Sequence, residues 1–455
     1  MACFAVNMKR SAACESLALD IIRRLRTSGH IAYLVGGCVR DRLLGTIPKD
    51  YDVSTDAQPD EIARLFPQSQ LVGAHFGVVL VTHGNDAHVE VATFRSEGTY
   101  SDGRRPDEVR FVADPGLDAR RRDFTVNGLM EEPFTGRILD FVGGQADLQA
   151  KIIRAIGDPG LRFREDHLRM LRAVRFAARL NFVIEPETLA AIQTEAHHIC
   201  RISAERVRDE IVRILTEGGA RRGFELLDAT GLLTYVLPAV EALQGVAQPP
   251  EYHPEGDVWT HVLIMLGELN KPSPTLALGA LLHDIGKPAT FRFADRIRFD
   301  GHAEVGADMS KEILGNLKFS NEEIDRVVSL VANHMRFKDV QQMRLSTLKR
   351  FLSMPHFDEH LELHRLDCLA SNGYTDSLEY VKAKLNELRS EDLAPPRLIS
   401  GRDLIEAGFQ PGPDFGRALE AVAVAQLEGE IHTRGQALDL ARSVLEHTPN
   451  TTDRK

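Results

Sequence analysis

The chain has 455 residues, 43% hydrophobic and 27% charged: enough for two to four domains with sizeable cores, and too balanced for a disordered or fibrous protein. No run of 18 apolar residues exists, which excludes a transmembrane helix, and the opening MACFAVNMKR lacks the apolar core and cleavage site of an export signal. Five scattered cysteines without a C-x-x-C pair fit reduced thiols in a cytoplasmic protein, and the net charge of −11 argues against general nucleic-acid affinity. That average hides an asymmetry. Between Lys151 and Arg222, 14 Lys or Arg stand against 10 Asp or Glu, a net of +4 that leaves −15 elsewhere. A locally basic middle in an acidic chain can serve as an electrostatic footprint for RNA.

Residues 11–28 read as an amphipathic helix through Leu17, Ile21, Ile22 and Leu25. Ile31 to Val35 is a short buried strand. Gly36 and Gly37 follow, where the chain must turn and where backbone N–H groups can approach a phosphate. Cys38 to Leu44 is one or two helical turns, ended by Gly45 and Pro48, and a second strand opens with Asp50-Tyr51-Asp52-Val53. On a strand, residues i and i+2 share a face about 6.6–6.8 Å apart. Asp50 and Asp52 therefore offer two carboxylates beside the glycine turn, able to hold a pair of Mg²⁺ ions for phosphoryl or nucleotidyl transfer. Each piece alone is ordinary; strand, Gly-Gly, short helix and D-x-D within about twenty residues is not. The stretch Leu34 to Thr55 resembles the signature of the nucleotidyltransferase superfamily headed by DNA polymerase beta. More narrowly it resembles the bacterial class II tRNA nucleotidyltransferase and poly(A) polymerase family.

Pro59 to Phe66 reads as a short helix, and Leu71 to Thr82 and His88 to Arg95 as strands. Glu90 is the one carboxylate in an otherwise apolar strand, so a metal, Arg or Lys partner is implied. The resemblance makes it the third acidic residue beside Asp50 and Asp52. Glu97 to Asp107 is polar and rich in turn formers, a mobile loop. It coincides with the loop of family members that add the terminal A. Poly(A) polymerases of the family carry a basic G-R-R/K-F segment where this chain has Gly73-Ala74-His75-Phe76-Gly77.

Arg120 to Asn127 (RRRDFTVN) places arginines beside an Asp and an Asn, suited to triphosphate charge and a sugar hydroxyl. It resembles the family's R-R-D-F-T-I-N-A motif, with Gly128 in place of the final Ala, and implies contacts from Arg122, Asp123 and Asn127 to ribose and triphosphate. Leu139 to Gly144 resembles the hinge that joins head to neck. Arg162 to Phe182, free of Gly and Pro, reads as one helix with Leu168, Leu171, Val174 and Ala178 facing a core. An Asp and an Arg one turn apart present acceptor and donor edges together. Asp166 and Arg169 resemble the family's E-D-x-x-R, in which side chains select CTP and ATP without a nucleic-acid template. Arg40, Arg172 and Arg175 complete the cations expected at the nucleotide. Ile202 to Val207 opens another helix with Ser203 as N-cap; Glu205 and Arg206 are expected to brace the preceding helix.

Gln248 to Gly256 breaks the composition and is placed at a domain boundary. Beyond it stand His261, His283-Asp284, His302, His334 and Asp367. Imidazoles plus a carboxylate on facing helices suit a divalent transition metal that activates water. His283-Asp284 with Ile285-Gly286-Lys287 resembles the HD phosphohydrolase signature. His261, His283, Asp284 and Asp367 are the expected ligands; His302 and His334 are either second-metal ligands or phosphate contacts. Residues 376–455 read as helical with a Pro-Pro break at 395–396. They resemble either the tRNA-gripping tail of the family or a helical cap on the HD region. Thr448 to Lys455 are expected to be disordered.

The expectation is thus an α+β chain. A polymerase-beta-like head with a small mixed sheet (1–150) precedes an all-α neck (151–247), an HD domain (248–375) and a tail (376–455). The resemblance implies template-independent addition of CCA to the 3′ end of tRNA from CTP and ATP, with Mg²⁺ at the head and a divalent transition metal at the HD site. An A-adding enzyme or poly(A) polymerase of the same fold is the nearest alternative. The alternative of another class is a metal-dependent phosphohydrolase with an RNA-binding head, which the intact Asp50 and Asp52 oppose.

Overall fold

The structure, a computed structural model, describes residues 2–72, 77–84, 87–98, 108–388, 393 and 395–447, with side chains omitted for residues 2–9 and Glu97. The segment Gly73 to Phe76, residues 99–107 of the expected loop Glu97 to Asp107, and Thr448 to Lys455 lie outside the described residues. Two compact units emerge: residues 1–242 with 266–277 and 313–320, and residues 243–265 with 278–312 and 321–455. No helix among the described residues is long and apolar enough to cross a membrane.

The first unit is built on a seven-stranded sheet of order β3-β4-β5-β2-β1-β8-β9. Its strands are β1 (Ala32–Val35), β2 (Asp52–Thr55), β3 (Ser69–Leu71), β4 (Val78–His83), β5 (Ala87–Thr93), β8 (Met130–Glu132) and β9 (Arg137–Leu139). The sheet is mixed: β2 and β5 run parallel and the other pairs antiparallel. The first helix, α1 (Ala2–Thr27), buries Ala18, Ile21, Ile22 and Leu25 against β1 and β5. The segment Leu71 to Thr82 is not one strand. Leu71 ends β3, which pairs antiparallel with β4 from Val78 on, and as the sheet's outer strand β3 leaves Gln70 and Leu71 exposed. A two-stranded ribbon, β6 (Arg95–Glu97) and β7 (Val109–Phe111), pairs the two flanks of the expected loop.

Around the sheet lie α2 (Gly37–Leu43), α3 (Pro59–Leu65), α4 (Pro115–Arg120) and α5 (Gly144–Ala150). The chain then becomes helical: α6 (Pro159–Glu165), α7 (Leu168–Leu180), α8 (Pro186–Glu195), α9 (Ala204–Thr216) and α10 (Ala220–Ala229). A 3₁₀ segment, Ala196–Arg201, separates α8 from α9. The expected single helix from Arg162 to Phe182 is therefore two. Asp166 leaves α6 in an extended conformation (φ −146°, ψ 104°) and α7 starts afresh after His167. The chain breaks without Gly or Pro because Asp166 is held by partners outside the helix, described below.

In the second unit, the residues of a buried polar centre come from the helices Val258–Gly267, His302–Asn316 and Phe357–Ala370, from the turn that follows the helix Pro274–Leu282, and from the 3₁₀ segment His334–Gln342 that follows the helix Asn321–Asn333. A separate apolar cluster of Ile399, Leu404, Ala418, Val422, Ala425, Ile431, Ala437 and Ala441 holds together the helices Gly401–Glu406, Asp414–Glu428 and Arg434–Glu446.

A candidate nucleotide cleft and a candidate metal centre

Strand register brings the head acids together. Val35, the last residue of β1, lies opposite Asp52, so the Gly36 turn emerges beside that carboxylate; Asp52 in turn pairs with Glu90 across the parallel β2–β5 ladder. Gly36 adopts φ +73° at the N-cap of α2, and a Cβ there would stand 3.2 Å from Arg122 Nη1, so both backbone and neighbour call for glycine. Asp50 lies ahead of β2 instead of on it, yet lines the same cleft as Asp52. Glu90 is exposed, contrary to the expected burial: it occupies the face of β5 opposite buried Val89 and Val91, so burial does not impose a partner on it. Burial and then Glu90 push the Asp52 carboxyl up to about 6, with Arg122 opposing and Asp50 adding to the repulsion. Acids crowded so that their charges repel suit a divalent cation. Among the described residues these three are not a set whose ligand atoms all converge within 4.8 Å.

The cleft has a volume of about 690 Å³ and is lined by eleven Arg or Lys against six Asp or Glu, a balance that suits a polyanion. Arg122 donates to Ser54 Oγ (3.2 Å) and Asp118 Oδ2 (3.1 Å), while its buried Nε has no partner. Asp123 accepts Arg172 Nη2 at 2.7 Å and Asn127 Nδ2 at 3.1 Å. Burial alone would raise the Asp123 carboxyl, but Arg172, Asn127 and the Phe124 amide together outweigh it and hold it down to about 2. Arg40, 2% exposed, donates to Asn127 Oδ1 (2.6 Å) and Asp41 Oδ1 (2.6 Å), so it orients Asn127. Arg175 is paired with buried Glu210 at 2.7 Å. The guanidiniums of Arg40, Arg172 and Arg175 surround the Phe176 ring at 5.2, 5.4 and 4.3 Å.

Asp166 and Arg169 both line the cleft, though not as neighbours on one helix. Asp166 Oδ2 accepts Arg206 Nη2 at 2.8 Å, and its Oδ1 accepts the Leu168 amide at 3.1 Å, capping α7. Arg169 Nη1 donates to Glu165 Oε2 at 2.6 Å. Arg206 on α9 thus fixes the break between α6 and α7; Glu205 is exposed, and Ser203 stands at the N-cap of α9 without a side-chain cap bond. Gly144, at the start of α5, is confined by backbone: a Cβ would meet Thr125 O at 2.2 Å.

In the second unit, all six expected residues meet. His283, His302 and His334 each donate Nδ1–H to a backbone carbonyl three residues back, on Ala280 (3.1 Å), Phe299 (2.8 Å) and Val331 (2.7 Å). A carbonyl only accepts, so each ring presents its Nε2 lone pair inward. His302 Nε2 and His334 Nε2 face each other at 3.2 Å, with Asp284 Oδ1 at 3.5 and 3.7 Å. His283 Nε2 lies 3.1 Å from Asp284 Oδ2, and His261 Nε2 lies 3.2 Å from Asp367 Oδ1; both nitrogens are buried without an aligned hydrogen bond. Facing lone pairs and orphaned nitrogens beside two carboxylates fit a divalent transition metal. The ligand atoms fall into two sets within 4.8 Å, His261-His283-Asp367 and Asp284-His302-His334.

Sequence reasoning missed His253, Glu255 and Lys287. Glu255 Oε1 accepts from His261 Nδ1 at 2.7 Å and His253 Nδ1 at 2.9 Å, and Lys287 Nζ donates to Asp284 Oδ2 at 2.7 Å and Gln248 Oε1 at 2.6 Å. Burial would lower the His261 pKa, yet Asp367 and Glu255 hold it up to about 9, so positive charge is favoured at this point. The available signal was the pairing of His253 and Glu255 two residues apart inside the Pro- and Gly-rich break.

Comparison with known proteins agrees with this geometry. Residues 32–154 match the Poly A polymerase head domain family, residues 181–243 the family described as probable RNA and SrmB-binding site of polymerase A, and residues 257–369 the HD domain family. A CCA-adding enzyme of Levilactobacillus brevis is 33% identical over 425 residues, spanning 93% of this chain and 96% of that one. One from Bacillus subtilis is 37% identical over 262 residues, 56% of this chain and 66% of that one. The crystal structure of the Bacillus stearothermophilus CCA-adding enzyme in complex with CTP superposes with a TM-score of 0.73 at 27% identity, covering 95% of this chain and 98% of that one.

Proposed function

The chain belongs to the family of CCA-adding enzymes, which are tRNA nucleotidyltransferases, and from that premise we propose that it adds C, C and A to the 3′ end of tRNA from CTP and ATP without a template. What supports this reading is one cleft that collects the glycine turn, Asp50, Asp52, Asp123, Asn127, Asp166 and Arg169. Asp50, Asp52 and Glu90 would hold Mg²⁺, which when bound supplies Lewis-acid activation of the RNA 3′-hydroxyl and charge neutralisation at the triphosphate. Backbone amides at Gly36 and Gly37 approach the phosphates, and Arg122 offsets their charge. Asp123 and Asn127 meet the ribose, kept in place by Arg172 and Arg40. The 3′ oxygen attacks the α-phosphorus in line and pyrophosphate leaves.

Base choice falls to Asp166 and Arg169. Cytosine N4 and adenine N6 are amino donors, which a carboxylate accepts; uracil and guanine carry a carbonyl oxygen at the corresponding position, which it repels. Arg169 supplies the matching donor to the ring. In this reading the head spans 1–150, the neck 151–247, the HD domain 248–375 and a tail that would grip tRNA 376–455.

For the second centre we propose a metal-dependent phosphohydrolase acting on phosphomonoesters or 2′,3′-cyclic RNA ends, supported by the inward-facing imidazoles. His261, His283, Asp284 and Asp367 would hold the metal, with His302 and His334 a second ion or the phosphate. The transfer reading has a direct test. Purified protein with Mg²⁺ receives tRNA lacking CCA, tRNA ending in CC, or an unstructured RNA, with CTP, ATP or both. Ordered C, C, A addition that stops on tRNA is expected. Addition of A alone to the CC-ended tRNA, or long A tails on any RNA, would replace the reading by the A-adding or poly(A) alternative.

A further inference from the structure

The break between α6 and α7 is closed from behind by a group of side chains that the nucleotide reading does not use. His167, the residue between the two helices, is 3% exposed, and its Nδ1 is buried without a hydrogen-bond partner. Its ring stacks on His198 of the 3₁₀ segment Ala196–Arg201, with centroids 5.0 Å apart and planes at 22°. His198 Nδ1 lies 2.7 Å from Glu195 Oε2, and Glu195 Oε1 accepts Arg164 Nη1 at 2.6 Å. Arg164 belongs to α6, three residues before His167. The contacts thus form a closed circuit, from α6 through Glu195 and His198 back to the residue after Asp166. Arg206 and the Leu168 amide secure the Asp166 carboxylate itself, while this circuit fixes the backbone that carries it.

We propose that His167 and His198 are positioning residues for base selection: their stack, anchored by Glu195 and Arg164, sets where the Asp166 carboxylate meets the incoming base. The inference rests on the reading of Asp166 as the base-selecting acid. Neither ring is among the residues lining the cleft, so both act through Asp166. Discrimination between an amino group and a carbonyl oxygen at one point depends on the carboxylate standing within hydrogen-bond reach of that point, and displacements near 1 Å can cost up to about 10²-fold. Loss of the stack therefore relaxes choice before it abolishes transfer. The requirement is chiefly for ring packing: the buried His167 Nδ1 has no well-aligned hydrogen bond, and the backbone of Phe163 is the polar contact a phenyl ring would give up.

The experiment measures kcat/KM for CTP and for UTP on tRNA lacking CCA, in full-length wild type, His167→Ala, His198→Ala, the two alanine substitutions combined, His167→Phe and Asp166→Ala, with thermal unfolding of each. His198 is partly exposed, which keeps one clamp variant available should His167→Ala fold poorly. The expected result is an about tenfold fall in the CTP-over-UTP ratio for His167→Ala and His198→Ala, less than additive when combined, with His167→Phe near wild type. An unchanged ratio in both alanine variants, whatever their Tm, while Asp166→Ala loses discrimination, overturns the clamp and leaves the reading of Asp166 standing. An unchanged ratio in Asp166→Ala overturns that reading and the clamp with it.

Discussion

The nucleotide cleft of the first unit and the imidazole centre of the second are both dense in charge, but they are assembled by opposite rules. In the cleft all the cations but Lys49 are arginines, whose charge is fixed, and several already rest on protein carboxylates: Arg172 on Asp123, Arg206 on Asp166, Arg169 on Glu165. A bound triphosphate joins an existing set of ion pairs, so the site is ordered before its ligand arrives. In the second centre the inward groups are lone pairs, and the protons point outward to carbonyls and to Glu255. Without a bound metal, that arrangement has more to offer a cation than an anion. One site is organised by counter-charge and the other by the direction of its N–H bonds.

The strongest way to break the comparison is to remove one acid from each site. Asp52→Ala should lower nucleotidyl transfer about 10³-fold, the scale of several kcal/mol of lost charge stabilisation, while leaving metal uptake by the second unit unchanged. Single-turnover CTP addition and metal analysis on the same preparation would expose any cross-talk. Next in size, Glu255→Gln should weaken divalent-metal affinity about 10- to 100-fold, because it removes the only carboxylate acceptor behind an imidazole at that centre among the described residues. Metal retained after dialysis against graded chelator reads this directly, and retention equal to wild type would make Glu255 a bystander.

The ion pair of Asp123 with Arg172 should appear in stability. Its folded pKa, about 2, lies below the unfolded value of about 3.9, so its contribution is fully present above pH 4 and is lost as pH falls towards 2. The loss is on the order of 2 kcal/mol, visible as a urea-midpoint difference from Asp123→Asn that shrinks over that window. A smaller effect is expected for Gly128→Ala, where the new Cβ would meet Val142 Cγ2 at 2.6 Å. The cost should be about 1 kcal/mol and largely restored by Val142→Ala, measured by thermal unfolding. Smallest of all is a rate in thiol labelling. Burial, helped by Asp52, pushes the Cys38 thiol up to about 12, so it should resist alkylation while exposed Cys200 reacts.

How much of this was legible in the chain depended on the range of the forces involved. The mixed head sheet, α2 and the closeness of Gly36 to Asp52 follow from patterns of a few residues, and the sequence reading anticipates them. Glu90 was misplaced because alternation along one strand gives two faces without saying which is covered; the neighbours decide, and Val89 and Val91 are the buried pair. The division of Arg162 to Phe182 was invisible for a similar reason. No local breaker stands at Asp166, and the partner that holds it, Arg206, lies forty residues on. Glu255 was hidden by composition, since a stretch of Pro, Gly and Glu reads as a linker until His261 folds against it.

The division at Asp166 has a consequence for motion. The carboxylate proposed to read the base is the same one that caps the first turn of α7 through the Leu168 amide. An amino group on an incoming base and that amide share one acceptor, so the start of α7 and the occupancy of the site are thermodynamically linked. Hydrogen exchange at Leu168 then becomes a clock on base recognition: it should change with CTP or ATP and stay still with triphosphate alone.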